Sequence, residues 1–241
     1  MSDKEYVKEY ARAKLGDRFT VATFACLRSL EEAEQFAFPA RCAIKATHLS
    51  GATILRKQGE DIDFTLLKSW FGTNFYEFAR ERNYRTLIPK IIVEPFVFDL
   101  ESPNNYRVFC YEGEPRLIQV NVDAPGARSR SFYDSSWNRL PIFLEDRKST
   151  ILEKPANLGL ILYVARTLSK EFSFIRVDIY SDGAEAKVGE LTNCPHNARI
   201  RFDPPEGEMI AARLLFGRSF TCSPETQPPC EANLPPPHST A

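Results

Sequence analysis

The 241-residue sequence has no apolar run approaching the roughly 20 residues of a membrane-spanning helix. Its longest, Leu158 to Ala165, holds about eight by the same measure. The start, Met1-Ser2-Asp3-Lys4-Glu5, lacks the apolar core of a secretory signal, so the expected compartment is the cytoplasm. Cysteines 26, 42, 110, 194, 222 and 230 contain no C-x-x-C pair and sit mostly in strand-like apolar runs. That usage excludes a disulfide framework and points to reduced packing thiols. Cys194-Pro195-His196 lacks a second pair at metal spacing, which removes a zinc site. Excess charge of one sign is also absent. Thirty-one Lys and Arg against 32 Asp and Glu leave −1, so no long-range field pulls toward nucleic acid or an anionic membrane. The glycine signatures of P-loop and dinucleotide-binding folds are missing. So is a G-x-S-x-G elbow, which removes a serine hydrolase built on Ser50 and His48. No fixed repeat is present, and solenoids and propellers drop out.

What remains is an ordinary globular composition, 43% hydrophobic and 26% charged, with 18 Phe and nine Tyr to fill a core. At roughly 150 residues per domain the length suits one bilobed domain or two small ones. Tyr6, Val7, Tyr10 and Ala11 share one face of a helix predicted from Asp3 to Leu15, stopped by Gly16. Ser29 with Glu32 forms a capping-box signature for a second helix to about Phe36. Arg41 to Ala46 reads as a strand. Behind Asp63, residues Leu66, Leu67, Trp70, Phe71, Phe75 and Phe78 recur at helical spacing, predicting one long helix from Phe64 to Asn83 that Gly72 weakens. Strands are expected at Lys90 to Phe98, Tyr106 to Glu112 and Pro115 to Asp123. Residues 124–150 read as a long arginine-rich loop suited to an acceptor or lid. A helix from Pro155 to Glu171, a hairpin of Phe174 to Tyr180 with Ala184 to Thr192 across Ser181-Asp182-Gly183, and a helix from Glu206 to Phe216 follow. Residues 221–241, proline-rich with Leu234 as the only large aliphatic, read as a disordered tail. The class is α+β with antiparallel sheets.

Chemistry concentrates in Phe174-Ile-Arg-Val-Asp-Ile-Tyr180 and Val188-Gly-Glu-Leu-Thr-Asn-Cys-Pro195. Strand alternation puts Arg176 and Asp178 on one face and Glu190 and Thr192 on a face of the partner strand. The tight turn brings Asp178 beside Glu190. Paired carboxylates repel unless a cation joins them, and oxygen donors of this kind suit Mg²⁺ held together with phosphates, with Arg176 facing a transferring phosphoryl group. The plainer alternative is a cross-strand pair on the surface. Lys45 is a compact ammonium suited to phosphate oxygens, and His48, Ser50 and Gly51 follow on a loop able to close over them. Glu94 is an acid in an apolar strand that needs a donor, which an adenosine could supply. Arg107 and Asp123 lie on the intervening hairpin, either lining a cleft or as surface charges.

The pattern R-V-D-x-Y, a turn, then G-E-L-T-x-x-P resembles the metal-binding hairpin of ATP-grasp enzymes, most closely the TupA-like branch named for teichuronopeptide biosynthesis. Ala43-Ile-Lys-Ala-Thr-His-Leu-Ser-Gly51 resembles that fold's nucleotide-binding strand and phosphate loop. Ile91-Ile-Val-Glu-Pro-Phe96 resembles its inter-lobe hinge, and Tyr106 to Gly113 with Pro115 to Asp123 its second-lobe hairpin. The resemblance spans about residues 3–216 and implies an ATP-grasp fold with nucleotide between two α+β lobes. The lobes are expected at 1–93, with the leading helices, and at 94–220. It further implies an ATP-dependent carboxylate–amine ligase working through an acylphosphate, with Mg²⁺ and ATP as cofactors. Lys45 and Arg176 would be catalytic; Lys45, His48, Ser50, Gly51, Glu94 and Arg107 would bind nucleotide; Asp178, Glu190 and Thr192 would hold the metal. Thr192 stands where many ATP-grasp enzymes carry asparagine. Cell-envelope polysaccharide or glycopeptide synthesis is the implied setting, joining a uronic acid or similar carboxylate to an amine such as an amino acid. Longer relatives carry a preceding domain, so substrate capture is expected to draw on a partner chain or a second copy. A kinase on the same fold and a non-catalytic nucleotide-binding module are the alternatives.

Overall fold

The computed structural model describes residues 2–124, 127–144, 149–199 and 201–217. The expected tail, 221–241, lies outside the described residues. Helix α1 (Lys4–Leu15) begins where Asp3 Oδ1 accepts the backbone amides of Glu5 and Tyr6, supplying partners for two amides the helix leaves open. It ends at Gly16, whose φ of +89° a residue with a Cβ would resist.

Strands β1 (Ala25–Leu27), β2 (Cys42–Ala46), β3 (Thr53–Arg56) and β4 (Ile91–Glu94) form an antiparallel sheet in the order β1-β4-β2-β3. Helices α2 (Leu30–Gln35), α3 (Phe64–Phe71) and α4 (Tyr76–Ala79) connect them. Ile44, Ile91 and Val93 are buried in one cluster with Ala33 of α2 and Leu67 and Trp70 of α3. The expected capping box is half formed. Ser29 accepts the Glu32 amide, while the Glu32 carboxylate reaches the amide of Arg28 instead of that of Ser29. The single long helix expected from Phe64 to Asn83 is broken. It stops at Gly72, restarts for four residues as α4 and ends at Arg80 in the left-handed region (φ 55°). Helical spacing of aromatics persisted through a stretch whose backbone does not. The strand expected to Phe98 likewise stops at Glu94, because Pro95 donates no hydrogen bond and Phe98 turns to φ 55°.

The second sheet orders β5 (Asn104–Tyr111), β6 (Glu114–Ala124), β7 (Ala127–Asp134), β9 (Phe174–Ser181) and β10 (Ala186–Thr192) as β10-β9-β5-β6-β7, all antiparallel. A two-stranded ribbon pairs β8 (Phe143–Leu144) with β11 (Phe202–Asp203). Much of the loop expected over 124–150 is therefore strand: β7 alternates Ser129 and Ser131 with Arg130 and Phe132, a strand period masked by its polarity. Val108, Cys110, Ile175, Val177 and Ile179 share one core with Ile161, Val164, Ala165 and Leu168 of α5 (Leu158–Ser169). α6 (Glu206–Phe216) packs Ala211 and Leu215 with Leu117 and Phe132 in a separate cluster. The remainder of this side carries Arg107, Arg176 and Asp178. Among the described residues no helix is long and apolar enough to cross a membrane.

The lobe boundary expected at 93/94 falls at the end of β4, but the leading helix does not belong wholly to the first lobe. Val7 and Ala11 of α1 are buried with β9, β10 and α5, because the helix's apolar face needs a large apolar partner. Its polar edge faces the small sheet: Lys90 meets Asp3 at 3.0 Å and Glu5 at 2.5 Å, and Asp3 Oδ2 accepts from Thr47. Asp3→Ala removes a cap and a buried ion-pair partner together, so it should cost about 3 kcal/mol in urea denaturation, against about 1 kcal/mol for the cap alone in Ser29→Ala. Equal losses would remove the bracing role of Asp3.

Candidate active site

Two rungs of the larger sheet set the site. Glu190, Asp178, Arg107 and Gln119 are successive cross-strand partners on β10, β9, β5 and β6. Two residues along, and on the same face, the next rung runs Thr192, Arg176, Phe109, Leu117. Asp178 is 3% exposed, so the surface-pair alternative fails. Arg176 grips it with Nε to Oδ1 at 2.6 Å and Nη2 to Oδ2 at 2.8 Å, and Nη2 also donates to Thr192 Oγ1 at 3.1 Å. Thr192 Oγ1 in turn donates to Glu190 Oε1 at 3.1 Å. Burial pushes the Asp178 pKa up and Glu190 adds to that, while Arg176 and Arg107 oppose it. A bulge between Val188 and Glu190 holds Gly189, where an added Cβ would lie 2.7 Å from the Tyr180 ring. Glycine there lets Tyr180 lie flat against β10.

Opposite these rungs stand three lysines. Lys45 on β2 meets Glu94 Oε2 at 2.7 Å, and Lys8 of α1 meets Glu94 Oε1 at 2.5 Å. Burial alone would raise the Glu94 pKa; Lys45 and Lys8 outweigh it and hold the carboxyl below its ordinary value. Burial lowers the pKa of Lys8 in spite of Glu94, whereas for Lys45 the attraction of Glu94 and Tyr180 prevails and the pKa rises. Lys4, one helical turn before Lys8, donates to the carbonyls of Ala46 and Leu49 at 2.9 Å each, and burial lowers its pKa.

Between the two sets lies a cavity of about 150 Å³ bordered by Lys4, Lys8, Lys45, Glu94, Asp178 and Glu190, with Ser50 and Gly51 at its rim. A second, of about 240 Å³, shares Lys45, Thr53, Asn105 and Tyr180 with it and continues between Ala43, Leu55, Pro95, Phe96 and Val97. Asn105 Oδ1, on the border of both, is buried without a hydrogen-bond partner, and Arg107 Nε, beside the first, makes no hydrogen bond but lies 3.4 Å from Asp178 Oδ2. An unpaired buried acceptor beside a guanidinium is what a ligand carrying both donor and anionic groups would satisfy. The donors Asp178, Glu190 and Thr192 are all hard oxygens, the chemistry a small divalent cation takes. No group of three His, Cys, Asp or Glu side chains able to hold a metal exists among the described residues.

The structure brings together Lys45, Ser50, Gly51, Glu94, Arg107, Asp178 and Glu190 around this space, with Arg176 and Thr192 directly behind. It does not bring His48 there. The ring is buried, Nε2 lies 2.8 Å from the Trp70 carbonyl, and Nδ1 accepts the Lys90 amide, so His48 ties the loop to α3. Its burial lowers its pKa. The donors Glu94 needs are likewise the chain's own lysines, not an adenosine. The Asp123 side chain lies outside the described residues. Lys4, Lys8, Asn105 and Tyr180 were missed from sequence. For the lysines the available signal was their i, i+4 spacing, which put both on one helix edge. Burial and, next, the charge of Glu190 raise the pKa of Glu81, which precedes the short turn at Arg82–Tyr84.

Because Glu94 is held below its unfolded value of 4.5, its stabilising contribution is complete above that pH and is lost as pH falls through the folded value. The stability gap between wild type and Glu94→Gln should therefore be widest at pH 7 and close as pH drops below 4.5, read from urea midpoints at each pH. A gap independent of pH would mean that Glu94 acts by shape alone.

No curated protein matches the sequence. Among solved structures the chain is similar to D-alanine–D-alanine ligase from Bacillus anthracis, at 15% identity and TM-score 0.48 over 90% of this chain and 63% of that one. The same enzyme from Helicobacter pylori gives 12% and 0.49 over 89% and 54%, and an L-amino acid ligase from Bacillus licheniformis 11% and 0.44 over 88% and 46%. The chain thus spans between about half and two-thirds of these ligases' length. The family model described as TupA-like ATPgrasp matches residues 1–212, the span that carries both sheets, α1 and every residue of the site, and the chain belongs to that family.

Proposed function

We propose that the chain is an ATP-dependent carboxylate–amine ligase acting through an acylphosphate, in cell-envelope polysaccharide or glycopeptide synthesis. The observation that carries this is the juxtaposition of three lysines with the Asp178–Glu190 rung across one cavity. The apolar slot of Ala43, Leu55, Phe96 and Val97 suits a nucleobase, and Lys45, Lys8 and Lys4 suit the phosphates. Asp178, Glu190 and Thr192 would hold Mg²⁺, which when bound offsets charge on the transferring phosphoryl. Ser50 and Gly51, the latter at φ +75°, lie where backbone amides can close over the phosphates.

The substrate carboxylate oxygen attacks the γ-phosphorus and ADP leaves. The amine nitrogen then attacks the acyl carbon and phosphate leaves with the former carboxylate oxygen. Of the three protons on the ammonium, one stays in the amide, one goes to phosphate and one to solvent. Arg176, fixed by Asp178 and Thr192, is oriented to stabilise the anionic oxygens of both steps. Lys45 is kept charged by Glu94 and holds the donor phosphate. Nothing else in this scheme asks for acid–base work from the protein, and positioning supplies most of the acceleration. The amine is an amino acid or similar small molecule.

A thermal-shift titration with Mg-ATP should raise the melting temperature of the wild type, by an amount equivalent to about 2.7 kcal/mol at a hundredfold excess over Kd. Asp178→Asn with Glu190→Gln should abolish the magnesium-dependent part. Lys8→Met should weaken ATP more than AMP, because the ammonium it removes faces the phosphates, and its loss of the Glu94 pair is read separately from the unliganded melting temperature. No shift at millimolar Mg-ATP would sink the reading. Phosphorylated carboxylate as final product, without amide, would replace the ligase by a kinase.

A further inference from the structure

The face of β9 that carries Asp178 and Tyr180 at one end carries Arg176 and Phe174 at the other. At about 3.3 Å per residue, Phe174 lies roughly 13 Å from Asp178 along the strand. Beyond Arg176 this face becomes the floor of a separate cavity of about 420 Å³, within the size range of small-ligand pockets. Phe109, Leu117, Phe174 and Leu215 wall it, and Arg176, Gln119 and Asn193 are polar side chains on its border. The Gln119 amide nitrogen is already committed to Asn121 Oδ1 at 2.7 Å. Arg176 spends Nε and Nη2 on Asp178 and Thr192, and no hydrogen bond from its Nη1 to a described residue is formed. One guanidinium thus stands between the polar rung and the apolar cavity.

We infer that the carboxylate substrate bears an aromatic or branched aliphatic group, which enters this cavity while its carboxylate meets Arg176. This rests on the ligase reading above and narrows its substrate. A uronic acid fits less well here, since most of the lining is phenylalanine and leucine and only Gln119 and Asn193 offer partners to its ring hydroxyls. The guanidinium fixes the orientation: carboxylate at Arg176, apolar group toward α6.

The test uses saturation-transfer NMR on the full chain without nucleotide, with L-phenylalanine, L-leucine and D-glucuronate as probes. Transfer to the phenylalanine ring and leucine methyl protons is expected, with transfer to glucuronate at least tenfold weaker. Cys194→Trp, which fills the cavity from its border, should abolish the phenylalanine signal; Asn193→Trp, from an exposed position on the same border, is the second variant should the first fail to melt cooperatively. Glucuronate transfer equal to that of phenylalanine overturns the inference. So does undiminished phenylalanine transfer in a cooperatively folded tryptophan variant. A Mg-ATP melting shift without phenylalanine transfer also overturns it and leaves the ligase reading standing. Phenylalanine transfer without a Mg-ATP shift does the reverse: the cavity takes apolar carboxylates and the ligase reading falls.

Discussion

Helix α1 is held between the two sheets by buried ion pairs, and the site depends on that bracing. Its apolar edge is buried with β9, β10 and α5, so the helix is committed to the larger core. Its polar edge then delivers Lys8 to Glu94, Lys4 to the carbonyls of Ala46 and Leu49, and Asp3 with Glu5 to Lys90, all on the smaller sheet. Buried pairs of this kind add little net stability against an apolar alternative, but losing one partner strands the other. They therefore define geometry more than they add energy. The same lysine contacts that orient the sheets also gather positive charge at the cavity mouth.

Across that cavity the geometry comes from strand periodicity. Every second residue of β9 faces the space, and cross-strand pairing extends each into a rung: Glu190–Asp178–Arg107, then Thr192–Arg176–Phe109. The first rung is ionic and the second half apolar, with Arg176 reaching from one to the other. Asp178 stays buried at tolerable cost because a bidentate guanidinium meets it, and Glu190 stays close because Thr192 and Arg176 bridge the two carboxylates. The ordered contacts leave Asn105 Oδ1 unmet and give Arg107 Nε only a 3.4 Å ion pair with Asp178. A site preorganised for a charged ligand has this character: the protein satisfies what it must to fold and leaves open what the ligand will complete.

The hairpin of β9 and β10 was legible because alternation, the Asp182-Gly183 turn and the acids on one face all agree. The α6 helix was legible at both ends and α5 by its apolar face, though α5 starts at Leu158, behind Asn157, rather than at Pro155. Residues 64–83 were misread because aromatic spacing stayed helical past Gly72 although the backbone turned away. β7 was misread as loop because its serines and arginines hide a strand that gains its order from pairing with β6. His48 sits next to the phosphate loop in sequence, but its ring is drawn inward by Trp70 and Lys90.

Sequence by itself determined the class, the β9–β10 hairpin and the pairing of Asp178 with Glu190, because these rest on local periodicity and on a short turn. It also marked Glu94 as an acid in need of a donor. Only the tertiary structure decided which donor, since Lys8 and Lys45 lie 86 and 49 residues from it and meet it only through the packing of α1 against both sheets. The same long-range packing decided that Arg176 would look two ways. A strand fixes the side on which a residue lies, and what stands opposite depends on elements far along the chain.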